Sequence, residues 1–123
     1  MKSTPKKNQS LPKLLQKTQI AVNKFVRERD KDKGCISCSG PVEQAGHYFS
    51  QGHHSALRFD PTNIHGQCKR CNLFLHGNLI NYGQGIIRRY GQEYHDRLIN
   101  KARFAVKKWH PLELEEIVNN LKK

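Results

Sequence analysis

Two cysteine pairs share one spacing, Cys35 and Cys38 in CISC and Cys68 and Cys71 in CKRC, with 29 residues between the pairs. Two intervening residues let a tight turn aim both thiolates at one ion, and two such turns complete a tetrahedral sulfur shell suited to Zn²⁺. A shell closed by four thiolates leaves no position for water, so the expected zinc is structural and not catalytic. Between and beside the pairs stand residues with other chemistry: His47 in AGHYFS, Asn63 and His65 in PTNIHGQC, and Asn72 directly after Cys71. Such a set suits phosphodiester hydrolysis, which needs a base to deprotonate water, a cation to neutralise charge growing on the phosphate, and a rigid frame for both. A neutral imidazole fits the first task, because its ordinary pKa of about 6.5 leaves it mostly unprotonated near neutrality. An amide oxygen fits the second, since Mg²⁺ prefers oxygen ligands and keeps several waters.

The order of these residues resembles the His-Asn-His, or ββα-metal, nucleases: a histidine on strand one, an asparagine in the hairpin, and a histidine or asparagine on the helix, in many members with two Cys-x-x-Cys knuckles. The segments AVNKFVRERD, CISC, AGHY, LRFD, NIHGQC, CN and GN follow one another over about residues 20 to 95 and closely resemble the NinG (Rap) recombination proteins of lambdoid phages. That likeness implies His47 as general base, Asn63 as hairpin brace and Asn72 as a ligand of a catalytic Mg²⁺ or Mn²⁺. It also implies cleavage of branched recombination intermediates such as D-loops and Holliday junctions, and a chain without the long N-terminal extension of some members. One position departs from many nucleases of this class: Gly46 stands where a metal-binding carboxylate directly precedes the base. For the second ligand His65 is favoured, being two residues from Asn63 on the same face of a regular strand; His76 and Asp60 are the alternatives.

The elements that must carry these residues can be read from periodicity. Pro5 and Pro12 bracket a polar, basic run, so residues 1–12 read as a flexible tail. Leu14, Thr18, Ala21, Val22, Phe25 and Val26 recur at helical steps and predict a helix to about Asp30. Gly34 ends it, and the Gly-, Pro-, Ser- and Asn-rich stretch to Gln67 predicts strand, loop and strand. Leu79, Tyr82, Ile86 and Tyr90 form a helical stripe interrupted by Gly83 and Gly85. Another stripe runs through Tyr94, Leu98, Ala102, Ala105, Val106 and Trp109, and Leu114, Ile117, Val118 and Leu121 follow Pro111 at a helix start. The expected architecture is one α+β domain over residues 13–123, with a zinc-braced, HNH-like ββα core at about 34–78 and C-terminal helices over 79–123.

Composition narrows the class of partner without choosing it. With 36 % hydrophobic residues and a mean hydropathy of −0.80 the apolar core is thin, and the zinc centre offsets this. A formal charge of +12 and a pI near 9.8 call for a polyanion, for which DNA, RNA or an acidic membrane surface would all qualify. Residues 1–33 carry ten Lys or Arg against three acids, and residues 79–123 nine against five, so two basic flanks enclose the candidate chemistry. Arg58, Lys69 and Arg70 flank it directly and are candidate DNA contacts. No signal peptide and no apolar run long enough to cross a bilayer is visible, so the chain is read as soluble, with no membrane partner, and as a cytoplasmic protein of a bacterial cell or phage-infected host. Taken with the family resemblance, which implies the branched substrate, the expectation is a metal-dependent DNA endonuclease that leaves a 5′ phosphate. Symmetric resolution of a four-way junction would call for a homodimer. The competing reading is a non-enzymatic zinc-braced module that binds nucleic acid and uses its histidines only structurally.

Overall fold

A computed structural model describes residues 10–122. The predicted basic tail therefore lies largely outside the described residues, but its last part is corrected: Ser10 caps the first helix, its Oγ accepting from Lys13 N at 3.4 Å, and Leu11 and Pro12 form the first turn. This helix, α1, spans Leu11–Asp30 and buries Thr18, Val22, Val26 and Asp30 at four-residue steps along one face. Phe25, read from the sequence as part of the apolar stripe, points partly to solvent.

The centre is a two-stranded antiparallel hairpin of β1 (Gln44–His47) and β2 (Ile64–Gln67), paired Gln44 with Gln67, Ala45 with Gly66, Gly46 with His65 and His47 with Ile64. Side chains alternate across a sheet, so this register sorts the residues by face. Ala45 and Ile64 pack with Val22, Val26, Phe59 and Leu114 on the side of α1 and of α4 (Pro111–Leu121). Gly46 and His65 face the other way, towards α2 (Leu79–Tyr90) and α3 (Gln92–Ala102), where Ile36, Leu57, Tyr82, Ile86 and Leu98 form a second core. A thin core divided by a sheet of four rungs needs polar clamps, and Asp30 supplies one. Its fully buried carboxylate accepts from Gly66 N at 2.8 Å and from Arg29 Nε at 2.7 Å, while Arg29 also donates to the carbonyls of Pro61 and Ile64.

Helix α2 carries glycine in its predicted apolar stripe for a steric reason. A β-carbon on Gly85 would collide with the carbonyl oxygen of Ile36, in the first cysteine turn, so glycine lets the helix lie against that turn. The following stripe is helical only to Ala102. Residues beyond it run as an irregular strap in which Ala105 O accepts from Ala56 N at 2.6 Å and Trp109 Nε1 donates to Ser55 O at 2.9 Å; Val106 is 83 % exposed. These bonds to the loop after β1 replace the helical ones that the sequence pattern led us to expect. Pro111 opens α4 as predicted, with His110 Nδ1 accepting from Leu112 N and Glu113 accepting from His110 N. No described helix is long and apolar enough to cross a membrane.

Candidate functional site

The four cysteines converge as their spacing demands. One sulfur from each of Cys35, Cys38, Cys68 and Cys71 lies within 4.8 Å of the others, and Cys38 and Cys68 sulfurs are 3.6 Å apart. The two turns come from opposite ends of the hairpin region, so an ion bound here would tie the segment after α1 to the segment after β2. Backbone N–H groups of Gly40 and Cys71 and the amide of Asn78 point at the sulfurs of Cys38, Cys68 and Cys71, each at 3.4 Å. Burial pushes the Cys71 thiol up to about 12. Four close thiolates need a cation to neutralise them, and the set fits Zn²⁺ in donor type and number.

His47 ends β1 and is half-buried. Its Nε2 lies 2.9 Å from the carbonyl oxygen of Arg58, which can only accept, so Nε2 carries the proton and Nδ1 keeps the lone pair of the neutral ring. Burial lowers the His47 pKa; the hydrogen bond opposes this and the Arg58 charge adds to it. Asn63 is fully buried and braces the hairpin: Oδ1 accepts from Phe49 N at 2.9 Å, and Nδ2 donates to the carbonyls of Phe49 at 3.0 Å and Leu57 at 3.3 Å. Residues 49–57 are thereby drawn over β2, and the Arg58 carbonyl arrives beside His47.

Asn72 lies not on a long helix but in a five-residue π-helical turn, Arg70–Phe74, between β2 and α2. Its Nδ2 donates to Gln44 Oε1 at 2.8 Å, which leaves Oδ1 directed at Gly46: a β-carbon built on Gly46 would come within 2.8 Å of that oxygen. No hydrogen bond joins His47 to Asn72. As neighbours along a strand, residues 46 and 47 face opposite ways, so imidazole and carboxamide flank the end of β1 from its two sides.

His65 is not a metal ligand, contrary to the sequence reading. It has no exposure, and both ring nitrogens are taken, Nδ1 by the Tyr82 hydroxyl at 3.0 Å and Nε2 by that of Tyr94 at 3.1 Å. Tyr82 donates to Gly46 O at 2.6 Å, so its oxygen accepts from His65 Nδ1–H, while the one Tyr94 hydroxyl proton faces both His65 Nε2 and the Thr62 carbonyl oxygen at 3.2 Å. Burial, with the Arg29 charge adding to it, pushes the His65 pKa down to about 3. Of the alternatives, Asp60 is engaged, accepting from Thr62 N, Thr62 Oγ1 and Lys101 Nζ, while His76 stands exposed at φ 51 beyond the π-helical turn.

Lys69 and Arg70 are exposed next to Asn72, while Arg58 is half-buried, its Nε donating to Gln19 Oε1 at 3.1 Å. Nearby in sequence, Leu73, Phe74, Leu79 and Ile80 are exposed, with Phe74 at 71 % and Ile80 at 80 %. The sequence reading missed Gln44 and Gln67, whose places follow only from strand register, and the tyrosines that occupy His65. A cleft lined by Lys33, Arg89 and Tyr90 contains none of the residues singled out above.

Fold and thiol centre define a small α+β protein with a zinc-type knuckle pair closing a hairpin, and comparison with known proteins gives its family. The family model described as Bacteriophage Lambda NinG protein matches residues 1–123, and the chain belongs to this NinG family. It is 38 % identical over 107 residues to the protein ninG of Escherichia phage lambda, covering 82 % of this chain and 52 % of that relative. To the protein ninG of Escherichia phage 933W it is 45 % identical over 87 residues, covering 68 % of this chain and 43 % of the relative. The corresponding protein of Salmonella phage P22 is 45 % identical over 80 residues, 63 % of this chain and 39 % of the relative. The chain thus spans about half or less of the length of these relatives. No solved structure matches.

Proposed function

We propose that this chain is a divalent-metal-dependent DNA endonuclease with an HNH-like ββα core, and that its substrates are branched DNA of the kind processed in phage-type recombination. The observation that carries the reading is His47: a neutral imidazole at a strand end, held through Nε2 by a loop that Asn63 braces, with Nδ1 left to accept a proton. Next to it along the strand, on the opposite face of Gly46, stands a carboxamide oxygen, Asn72 Oδ1, that accepts no hydrogen bond among the described residues. In this reading one phosphate lies across the strand end and meets the imidazole from one face and the amide oxygen from the other.

In this mechanism Nδ1 of His47 takes the proton of the attacking water, and the Arg58 carbonyl steadies the imidazolium through Nε2–H. Asn72 would hold Mg²⁺ or Mn²⁺; oxygen donors suit both ions, which supply charge neutralisation at the phosphate and at the leaving 3′ oxygen. Lys69 and Arg70 bind flanking phosphates, and the product carries a 5′ phosphate. Preference for Holliday junctions and D-loops rests on the family likeness. Replacing His47 by Ala should abolish Mg²⁺-dependent cleavage of a four-way junction while zinc content and folding stay intact; undiminished cutting refutes the assignment.

One observation favours a second reading, a zinc-braced binding module without catalysis: the neighbouring carboxylates are engaged, Asp60 as above and Glu43 by Lys69 N at 2.8 Å. Junction binding in EDTA, compared with cleavage on adding Mg²⁺ or Mn²⁺, separates the two. Binding without cleavage in any divalent metal, in protein retaining zinc, selects the module.

A further inference from the structure

Gly46 poses a chemical question: what replaces the carboxylate that would precede the base? The space where its side chain would begin is filled. A β-carbon on Gly46 would collide with Oε1 of Gln67, which reaches across from β2, and would crowd Asn72 Oδ1 at 2.8 Å. Two carboxamide oxygens thus close on the point from which an aspartate at position 46 would have projected.

Gln67 is 0 % exposed, and its Oε1 has no hydrogen-bond partner among the described residues. Such an orphan is costly and uncommon in folded proteins. The orientation of the amide is not open to exchange of O and N. Nε2 donates to Ser37 Oγ at 2.9 Å and to the carbonyl oxygen of Gly77 at 2.8 Å, and a carbonyl oxygen can only accept. Oε1 is therefore held toward Gly46 by both its neighbours, with no donor supplied to it. Asn72 turns Oδ1 the same way, its Nδ2 donating to Gln44 Oε1. Gln67 is sealed from solvent, whereas Asn72 is half-buried, so an ion would enter from the Asn72 side.

We propose that Gln67 supplies, through Oε1, the second protein oxygen for the divalent cation held by Asn72 Oδ1, taking the place of the carboxylate that Gly46 omits. This deepens the nuclease reading and rests on it for the identity of Asn72 as a ligand. Two neutral amides carry no charge to offset a dication, so the site by itself binds weakly, and substrate phosphate completes it. Ser37 lies inside the first cysteine turn and Gly77 just beyond the second, so the thiol centre sets the aim of Gln67.

The test uses zinc-loaded protein and reads Mn²⁺ binding directly, by the paramagnetic resonance signal of free Mn²⁺ in the presence of an uncleavable DNA junction. Gln67→Met, which keeps volume without the oxygen, should weaken Mn²⁺ binding at least about tenfold, as losses around metal sites do. Gly46→Asp together with Gln67→Ala, which delivers a carboxylate from the other strand into the vacated space, should restore it. Should a variant not fold, the native chain serves: Mn²⁺ must broaden the side-chain NH₂ resonances of Gln67 and Asn72 ahead of that of Gln19. Unchanged Mn²⁺ affinity in Gln67→Met, or no selective broadening, overturns the proposal and leaves Oε1 to a trapped water. Cleavage with Mn²⁺ binding indifferent to Gln67 sinks this inference alone. Binding that depends on Gln67 without any cleavage sinks the nuclease reading alone.

Discussion

Replacing Asn63 by Ala should destabilise the protein by about 3 kcal/mol, since three hydrogen bonds of 2.9, 3.0 and 3.3 Å each contribute about 1 kcal/mol net. The figure is not larger because Phe49 is only half-buried, so water can reach part of what the side chain leaves behind. For a domain of this size the loss corresponds to a fall in Tm of about 10 °C. Urea titration of zinc-loaded protein at fixed zinc concentration is the assay, with the midpoint expected to move and the slope to stay constant, because the folded state keeps its extent. A second substitution sharpens the test. Asn63→Asp keeps the acceptor for Phe49 N but turns the donor pair into a carboxylate oxygen facing two carbonyls. It should cost at least as much as Ala at neutral pH and recover on mild acidification, as the carboxyl takes up a proton and donates again. If both variants unfold at the wild-type midpoint, the braced loop is not held by Asn63, and the positioning of the Arg58 carbonyl beside His47 needs another cause.

Chelation that strips the thiol centre should lower Tm sharply, because binding energy of about 10 kcal/mol or more for a structural zinc is also folding energy; metal analysis should find one zinc per chain, and a chain that melts unchanged after stripping contradicts the structural role. His65→Phe should lower stability without altering Mn²⁺ affinity, as expected of a buried hydrogen-bond hub; lost Mn²⁺ binding in a folded variant would restore it as a ligand. The proposed mechanism requires His47 neutral, and since its pKa is lowered, the rate of cleavage should fall only as pH drops through a value below 6.5 and be flat above it; a limb above 6.5 in the pH–rate profile argues against His47 as the base. Lys69→Ala and Arg70→Ala should each reduce the salt dependence of DNA binding by about one counterion, leaving the melting temperature unchanged, as measured by titration over a salt series.

How much of this was legible beforehand depends on whether the controlling contact was local. The thiol centre follows from two-residue spacings, α1 from three- and four-residue steps, and the hairpin from turn-forming residues on either side of short apolar runs. The bracing use of Asn63 was implied by family likeness and agrees with its bonds. His65 was misjudged because a histidine two residues from an asparagine looks the same whether it meets an ion or tyrosines 17 and 29 residues further on. The stripe through Val106 and Trp109 has helical spacing, but Ser55 and Ala56, some fifty residues earlier, hold that segment as a strap. Gln67 was invisible for another reason: its meaning lies in an oxygen without a donor, and that emerges only once strand register sets it against Gly46.

The connection between the strands is riveted at several points and not by the ladder alone. Four residue pairs join β1 to β2, while between Tyr48 and Thr62 the chain seats Leu57 in one core and Phe59 in the other, ties Ser55 and Ala56 to the strap, and is braced by Asn63. A sheet this short therefore owes its shape to what spans it, and amide exchange at Ala56 should be as slow as exchange within β1.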